Sequence, residues 1–201
     1  MEPVTVITGR AVPLLQPNID TDQIVPHRFL KRVERSGFGE VLFHDWAHLP
    51  DGSPDPAFPL NRPEHRGAAV LLAGPNFGSG SSREHAAWAI QDHGFRAVLA
   101  PSFADIFRSN SHKIGLLPVV LGAGEVARLA DLVAADPATE ITIDLPAQRV
   151  TAPGFDAPFE IDPFVKHSLV EGIDDIDRTL VHKDAITTFE RARPDYRPTL
   201  N

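Results

Sequence analysis

Short apolar runs alternate with amphipathic stretches through the middle of the chain. Each of three apolar runs is followed by a segment with helical periodicity, which is the pattern of parallel βαβ units. The predicted strands are 68–73, 96–100 and 116–121, and the predicted helices are 82–93, 102–113 and 124–135.

The pattern differs at both ends of the chain. Near the start, residues 4–12 alternate as a strand does, and the segment NIDTDQI that follows is typical of a turn. Residues 50–63 hold five prolines, which predicts an irregular surface loop. Beyond residue 139, three short predicted strands suit antiparallel hairpins, and two predicted helices follow. These strands are 140–145, 148–152 and 159–161, and the helices are 162–171 and 183–193.

One further helix is predicted before the proline-rich loop. Over residues 27–35, helical spacing places Phe29, Leu30 and Val33 on one face, and Ser36-Gly37 ends the pattern. The chain as a whole therefore predicts an α/β domain with a mixed sheet and a C-terminal helical extension.

Composition narrows the possible functions. The 201 residues are 42% hydrophobic and 23% charged, which is ordinary for a globular domain. The chain contains no cysteine, so it has no disulfide, no cysteine nucleophile and no thiolate for an iron–sulfur cluster. A net charge of −8 argues against nucleic acid as a partner. No secretory signal or long apolar span is evident, so we expect a cytoplasmic protein without membrane contact.

The stretch richest in possible chemistry is 74–86, GPNFGSGSSREHA. It lies between a predicted strand and a predicted helix, where α/β sheets commonly bind ligands. Ser81 stands three residues before Glu84, which is the spacing of a capping box. Free N–H groups at a helix start attract anions, and Arg83 adds a forked donor suited to a carboxylate. These residues predict a site for an organic anion.

A simpler interpretation of the same residues stays open. Ser81 can serve only as a helix N-cap, and Arg83 can be only a solvated surface residue. Phosphate-binding loops do not fit, because a dinucleotide fingerprint needs glycine at position 83 and the Gly-Lys-Ser/Thr of a Walker loop is absent. A nucleophile elbow is also missing. Spacing alone does not name the anion.

The stretch 74–86 closely resembles a motif of the small (swivel-domain) subunits of 3-isopropylmalate dehydratase, in the aconitase superfamily. Two further segments resemble motifs of that family: NIDTDQIVP at 18–26, and SFADIF at 102–107, which Asn110 and GLLP follow. Residues 162–186 resemble the extension of the longer bacterial small subunits. The resemblance covers almost the whole chain in the expected order.

The resemblance implies a fold and a reaction. The fold would be a single swivelling β/β/α domain of the aconitase C-terminal type over residues 1–161, with residues 162–201 as a helical extension packed on it. The reaction would be a hydro-lyase reaction that interconverts 2- and 3-isopropylmalate by dehydration and rehydration in leucine biosynthesis. The substrate would be a small dicarboxylate. A large subunit would complete a heterodimer and carry the 4Fe-4S cluster, and this chain would bind no metal.

The resemblance also implies roles for individual residues. Ser81 matches the serine that acts as base, while Ser82 and Arg83 match residues that bind the substrate carboxylate. Asp22 matches an aspartate near the active site, although a turn-forming role for it stays open. Many relatives have Cys where this chain has Ser79, a change that should leave metal binding untouched because the cluster ligands lie on the other subunit.

Specificity is expected from the segment after Asp22. There, Phe29 and Leu30, together with Val33, offer apolar groups suited to an isopropyl substituent. A related dehydratase acting on citraconate/2-methylmalate or homoaconitate is the first alternative, and a non-catalytic anion-binding module is the second. His44 and His48 have the i, i+4 spacing of metal ligands but no third ligand nearby, so we interpret them as surface or packing residues.

Overall fold

The computed structural model describes residues 1–31 and 36–193. Within them, seven strands form one sheet in the order β4-β3-β2-β1-β5-β6-β7. The strands are β1 Val6–Leu14, β2 Val70–Ala73, β3 Ala97–Ala100, β4 Leu117–Val120, β5 Glu140–Asp144, β6 Arg149–Ala152 and β7 Phe155–Pro158. The helices are α1 Thr21–Ile24, α2 His44–Ala47, α3 His85–Asp92, α4 Asp105–Ile114, α5 Ala123–Ala135, α6 Pro163–Glu171, α7 Asp175–Leu180 and α8 Lys183–Arg191. Short 3-10 turns lie at His27–Phe29, Gly39–Val41, Pro59–Asn61 and Pro63–His65.

Strand β1 joins two different ladders. Its first half, 6–10, pairs antiparallel with β5, and its second half, 11–14, pairs parallel with β2. Strands β2, β3 and β4 continue the parallel ladder, whereas β5, β6 and β7 form antiparallel hairpins. The structure thus confirms the predicted mixed sheet.

The parallel strands are covered on both faces, as their continuous apolar runs require. In β2, Leu71 and Ala73 face a core that includes α3 and the buried Phe107 of α4. Val70 and Leu72 face the opposite core, which includes α5. Alternate residues of β2 therefore pack into two cores on opposite faces of the sheet. This alternation fixes the direction in which the chain leaves β2 and enters the following loop.

Helix α6 begins the C-terminal region and packs into the core that includes α5. Asp162 caps it by accepting hydrogen bonds from the backbone N–H groups of Phe164 (2.9 Å) and Val165 (3.1 Å). Leu169 is fully buried, and its carbonyl accepts a hydrogen bond from the N–H of Val4 at 2.8 Å. These contacts join α6 to the start of the chain, while the division into 1–161 and 162–201 stays a prediction.

The local predictions that were wrong involve short elements and boundaries. The predicted helix 27–35 is a single 3-10 turn, His27–Phe29, in the described part, and Val33 lies outside the described residues. The third hairpin strand is 155–158 rather than 159–161, because Gly154 at φ +70° makes a tight turn directly before Phe155. Helices α1, α2 and α7 were not predicted. Among the described helices, none is long and apolar enough to cross a membrane.

One buried histidine on α4 makes the stability of the fold depend on pH. His112 lies in the last turn of α4, beside a small cavity that Val165 of α6 also lines. The pKa of His112 is lowered to about 4, mainly by burial and also by repulsion from Arg108, while attraction by Asp162 offsets part of the shift. The folded protein therefore holds this imidazole neutral at pH 7.

We expect acid to destabilise the protein through His112. Below pH 6.5 the unfolded chain binds this proton and the folded chain does not, so stability falls as the pH drops toward the folded pKa of about 4. Between pH 7 and 4.5 this histidine should account for about 2 kcal/mol of lost unfolding free energy. Urea unfolding of the parent and of His112→Gln at both pH values checks this. The exposed His27→Gln is the control, and an unchanged pH slope in His112→Gln would contradict the assignment.

Candidate active site

Three loop segments meet at one edge of the parallel part of the sheet. They are 15–22 after β1, 74–84 after β2 and 101–104 after β3. Because β1, β2 and β3 are parallel where they pair, their carboxyl ends lie at the same edge. The segments that carried the family resemblance are thereby brought together from distant parts of the chain.

Backbone hydrogen bonds join the first two segments along their length. They involve donors from both sides, so each segment fixes the other. The bonds run from Asn18 N to the Pro75 carbonyl (2.9 Å), from Gly78 N to the Ile19 carbonyl (2.8 Å) and from Thr21 N to the Ser79 carbonyl (2.9 Å).

The third segment, 101–104, forms hydrogen bonds with the second segment, 74–84, which is the glycine-rich loop. Phe77 N donates to the Ser102 carbonyl at 3.1 Å, and Ala104 N donates to the Phe77 carbonyl at 3.0 Å. Gly78, at φ +76°, lies so close to Phe107 that an added Cβ would sit 2.3 Å from the ring's Cγ. Only glycine suits this position, because the backbone conformation and the contact both exclude a side chain.

Helix α1 presents two successive side chains to the loop. Asp20 caps it: its Oδ1 accepts from Gln23 N at 2.8 Å, and the Gln23 Oε1 accepts from Asp20 N at 2.8 Å. Thr21 and Asp22 then occupy the first turn, with Thr21 buried and Asp22 exposed. The turn-forming interpretation of Asp22 is therefore wrong, because Asp20 has that role.

Ser81 is not a helix cap. Helix α3 begins only at His85, Glu84 occupies the cap position, and no side chain caps this helix. Instead, the exposed Ser81 places its Oγ 3.3 Å from the Oγ1 of Thr21. The predicted capping box and the predicted helix start near residue 82 are both wrong, because the loop is bonded to α1 and stays non-helical through residue 84.

Arg83 forms an ion pair with Asp22. The Nη1 of Arg83 donates to the Oδ1 of Asp22, and the side chains are 26% and 53% exposed, respectively. The structure thus brings together Ser81, Arg83 and Asp22, with the exposed Ser82 between the first two. Arg83 is not simply solvated, since it donates a hydrogen bond to a carboxylate from a segment 61 residues away.

Phe29 and Leu30 are half-buried and pack against the core that includes α3. Arg28 lies over the Phe29 ring, 4.7 Å from its centroid, and donates to Asp45 at 3.0 Å. The hydrogen bond from Arg28 lowers the pKa of the Asp45 carboxyl below its usual range. The role of Phe29 and Leu30 as contacts for a substrate side chain stays a prediction.

The histidines of this region pack against rings. His44 and His48 stack with ring centroids 4.3 Å apart. His85 contacts Phe38 and Trp88, with centroid distances of 5.1 and 4.7 Å. Burial lowers the pKa of His85, and attraction by Glu84 offsets part of this shift.

The residues of this chain do not fit an iron–sulfur cluster. The sequence has no cysteine. Over residues 1–31 and 36–193, no three His, Asp or Glu side chains are grouped so that they could hold a metal ion. Any cluster used in the reaction must therefore take its ligands from another chain.

Comparison with known families gives a full-length match. The family model of the aconitase C-terminal domain matches residues 1–124, which include all three loop segments. Residues 127–163 match the LeuD_N model, and residues 175–201 match the model of the C-terminal domain of the 3-isopropylmalate dehydratase small subunit. The chain belongs to the 3-isopropylmalate dehydratase small-subunit family. This confirms the resemblance inferred from the three motifs.

Individual relatives agree along their whole length. The chain is 56% identical over 199 residues to a 3-isopropylmalate dehydratase small subunit from Parafrankia sp., covering 99% of each chain. It is 53% identical over 198 residues to that of Rubrobacter xylanophilus, covering 98% of each. A solved 3-isopropylmalate dehydratase from Methanocaldococcus jannaschii superposes with a TM-score of 0.64 at 27% identity, covering 92% of this chain and 99% of the other. The predicted aconitase-type fold is confirmed.

Sequence reasoning missed one residue of this small-subunit site. Thr21 contacts Ser81 directly, yet only its neighbour Asp22 stood out in the motif. The capping pair Asp20 and Gln23 was a usable signal, because an Asp three residues before a Gln predicts a helix start there. A helix beginning at residue 21 would have placed Thr21 and Asp22 together at one end.

We expect Gly78→Ala to destabilise the chain by about 3 kcal/mol, since it adds a clash with Phe107 to the strain of a positive φ. Gly52→Ala is the matched control: φ there is +84°, and nothing lies within 4 Å of an added Cβ, so about 1 kcal/mol should be lost. Urea unfolding measures both. Equal losses at the two positions would contradict the close packing at Gly78.

A different result is expected for Asp22→Asn. The pair with Arg83 is partly exposed, so its loss should lower the unfolding free energy by less than about 1 kcal/mol. Thermal or urea unfolding of the chain checks this, with Asp156→Asn as the control, because Asp156 is 54% exposed, like Asp22, in its pair with Arg149. A loss above about 2 kcal/mol would show that Asp22 is mainly structural.

Proposed function

We propose that this chain is the small subunit of a cytoplasmic hydro-lyase that interconverts 2-isopropylmalate and 3-isopropylmalate by dehydration and rehydration in leucine biosynthesis. It acts with a large subunit that carries a 4Fe-4S cluster, on a small dicarboxylate rather than a nucleic acid. Full-length identity above 50% to proteins named as this small subunit supports the proposal. We retain residues 1–161 as the swivel domain and 162–201 as its extension.

The observation that carries the proposal is an exposed hydroxyl and a guanidinium on one loop, which contact successive residues of α1. Ser81 is exposed at the end of the glycine-rich loop, and Arg83 follows two residues later, held by Asp22. A base and a carboxylate-binding group so close together suit a substrate that loses a proton next to a carboxylate.

In the proposed reaction, the Ser81 oxygen, as the alkoxide, takes a proton from the substrate carbon. The electrons of the broken C–H bond form the alkene, and the hydroxyl on the adjacent carbon leaves with its electron pair. In the second half, hydroxide adds to the carbon that lost its proton, and Ser81 returns its proton to the carbon that lost the hydroxyl, which leaves Ser81 as the alkoxide again. No residue of this chain is assigned to the departing hydroxyl.

Arg83 and Ser82 hold the substrate carboxylate in this proposal. The fork of a guanidinium matches a carboxylate, and its charge favours the alkoxide form of the nearby Ser81. Asp22 keeps Arg83 aimed at this edge of the sheet. Ser81, Arg83 and Asp22 are thus the proposed catalytic group, with Ser82 and Arg83 in substrate binding.

The substituent of the substrate is assigned to Phe29 and Leu30. A third carboxylate, as in a homoaconitate-type substrate, would need an additional cation in this segment. Arg28 and Lys31 are the described cations next to these residues in sequence, and Asp45 already pairs with Arg28. The paired Arg28 and the apolar Phe29 and Leu30 favour isopropyl, whereas the exposed Lys31 is the cation that a third carboxylate would use.

Co-expression with a large subunit under anaerobic conditions tests the proposal. The complex should convert isopropylmalate in preference to citraconate and homoaconitate, while the purified small subunit alone should hold no iron and show no turnover. Preference for another of the three substrates would move the chain to a related dehydratase. An assembled, cluster-loaded complex that converts none of them would leave an anion-binding module.

Within that complex, we expect Ser81→Ala to lower kcat by about a thousandfold, because the base is lost. Stability should change by less than about 1 kcal/mol, since Ser81 caps no helix. Ser109→Ala removes another exposed serine hydroxyl and serves as the control for activity and assembly. Near-parental kcat in assembled Ser81→Ala would remove the serine from the chemistry.

A further inference from the structure

Thr21 directs a buried hydroxyl at the proposed base. The residue is 2% exposed, and its Oγ1 lies 3.3 Å from the Oγ of Ser81 and 3.4 Å from the carbonyl oxygen of Ser81. The backbone fixes this approach, because Thr21 N donates to the Ser79 carbonyl at 2.9 Å.

Gly80, between Ser79 and Ser81, leaves room for the contact between the hydroxyls of Thr21 and Ser81. Gly80 has φ +95°, and an added Cβ would sit 3.3 Å from the Oγ1 of Thr21. A side chain at position 80 would therefore crowd the hydroxyl that reaches Ser81.

The hydroxyl of Thr21 is not needed to form α1. Asp20 and Gln23 already satisfy each other's backbone N–H groups at the start of this helix. Valine has nearly the shape of threonine, so packing alone does not call for the hydroxyl; what valine removes is the pair of hydrogen bonds with Ser81.

We propose that Thr21 is a positioning residue that orients Ser81 and stabilises its basic form. The inference rests on the proposed function, in which Ser81 is the base. Neither the three motifs nor the family comparison assigned this role to Thr21.

The proton arrangement follows from the two acceptors near Thr21. The Ser81 carbonyl can only accept, so Thr21 donates to it while the Ser81 hydroxyl donates to the Oγ1 of Thr21. When Ser81 loses its proton, rotation about the Cβ–Oγ1 bond lets Thr21 donate to the alkoxide instead. A hydrogen bond to the charged form lowers the pKa of Ser81 and holds its oxygen toward the substrate. The present separation exceeds the usual O–H···O distance, and we expect it to shorten with substrate and partner bound.

The test compares variants of Thr21 in the assembled, active complex. Thr21→Val keeps the shape and removes the hydroxyl, and it should lower kcat about tenfold with KM within about twofold. The acidic limb of kcat against pH should move up by about one unit, because the alkoxide has lost a donor. Thr21→Ser keeps the hydroxyl and should restore both kcat and the pH profile.

A second pair covers the case in which valine prevents assembly. Thr21→Ala and Thr21→Ser both lack the methyl group and differ only in the hydroxyl, so the same shift should separate them. The double variant Ser81→Ala/Thr21→Val should be no slower than Ser81→Ala, since Thr21 acts through Ser81.

Three results would overturn the role of Thr21: a parental pH profile and kcat in Thr21→Val, equal impairment of the serine and valine variants, or a full additional loss in the double variant. The base assignment fails separately. Near-parental turnover in Ser81→Ala would remove it, whereas an inactive Ser81→Ala beside a normal Thr21→Val would overturn only the positioning role.

Discussion

The backbone hydrogen bonds between residues 18–21 and 75–79 are the interaction on which the rest of the site depends. Neither segment has regular strand structure, so each satisfies N–H and carbonyl groups of the other that would otherwise be unpaired. The bonds turn the glycine-rich loop toward α1, and Ser81 and Arg83 therefore face Thr21 and Asp22. The same bonds keep residues 81–84 out of α3.

The same geometry determines which charged groups meet at the site. Arg83, the proposed carboxylate-binding group, already has a carboxylate beside it in the free chain. An incoming anion must either share Arg83 with Asp22 or replace it. Because Asp22 is half exposed and adjusts easily in water, exchange of one carboxylate for another costs little. Asp22 thus keeps the guanidinium in place without closing the site.

The sequence predicted the parallel core well because each short strand is apolar at every position, which only a sheet covered on both faces tolerates. It predicted the site segments through family resemblance. It failed at Ser81, where the local spacing to Glu84 indicated a cap and the tertiary bonds to α1 prevailed. The pair of Asp22 with Arg83 spans 61 residues, and no local pattern encodes such a contact.

Strand β1 has a consequence for how the chain folds as a unit. Its first half completes the antiparallel ladder and its second half the parallel one, so neither ladder is whole without the other. The family model that ends at residue 124 excludes β5, and a fragment cut there would leave residues 6–10 as an unpaired edge. Such an edge invites aggregation rather than autonomous folding. The stretches that separate family models match are therefore not separate units of folding cooperativity, because both ladders share β1.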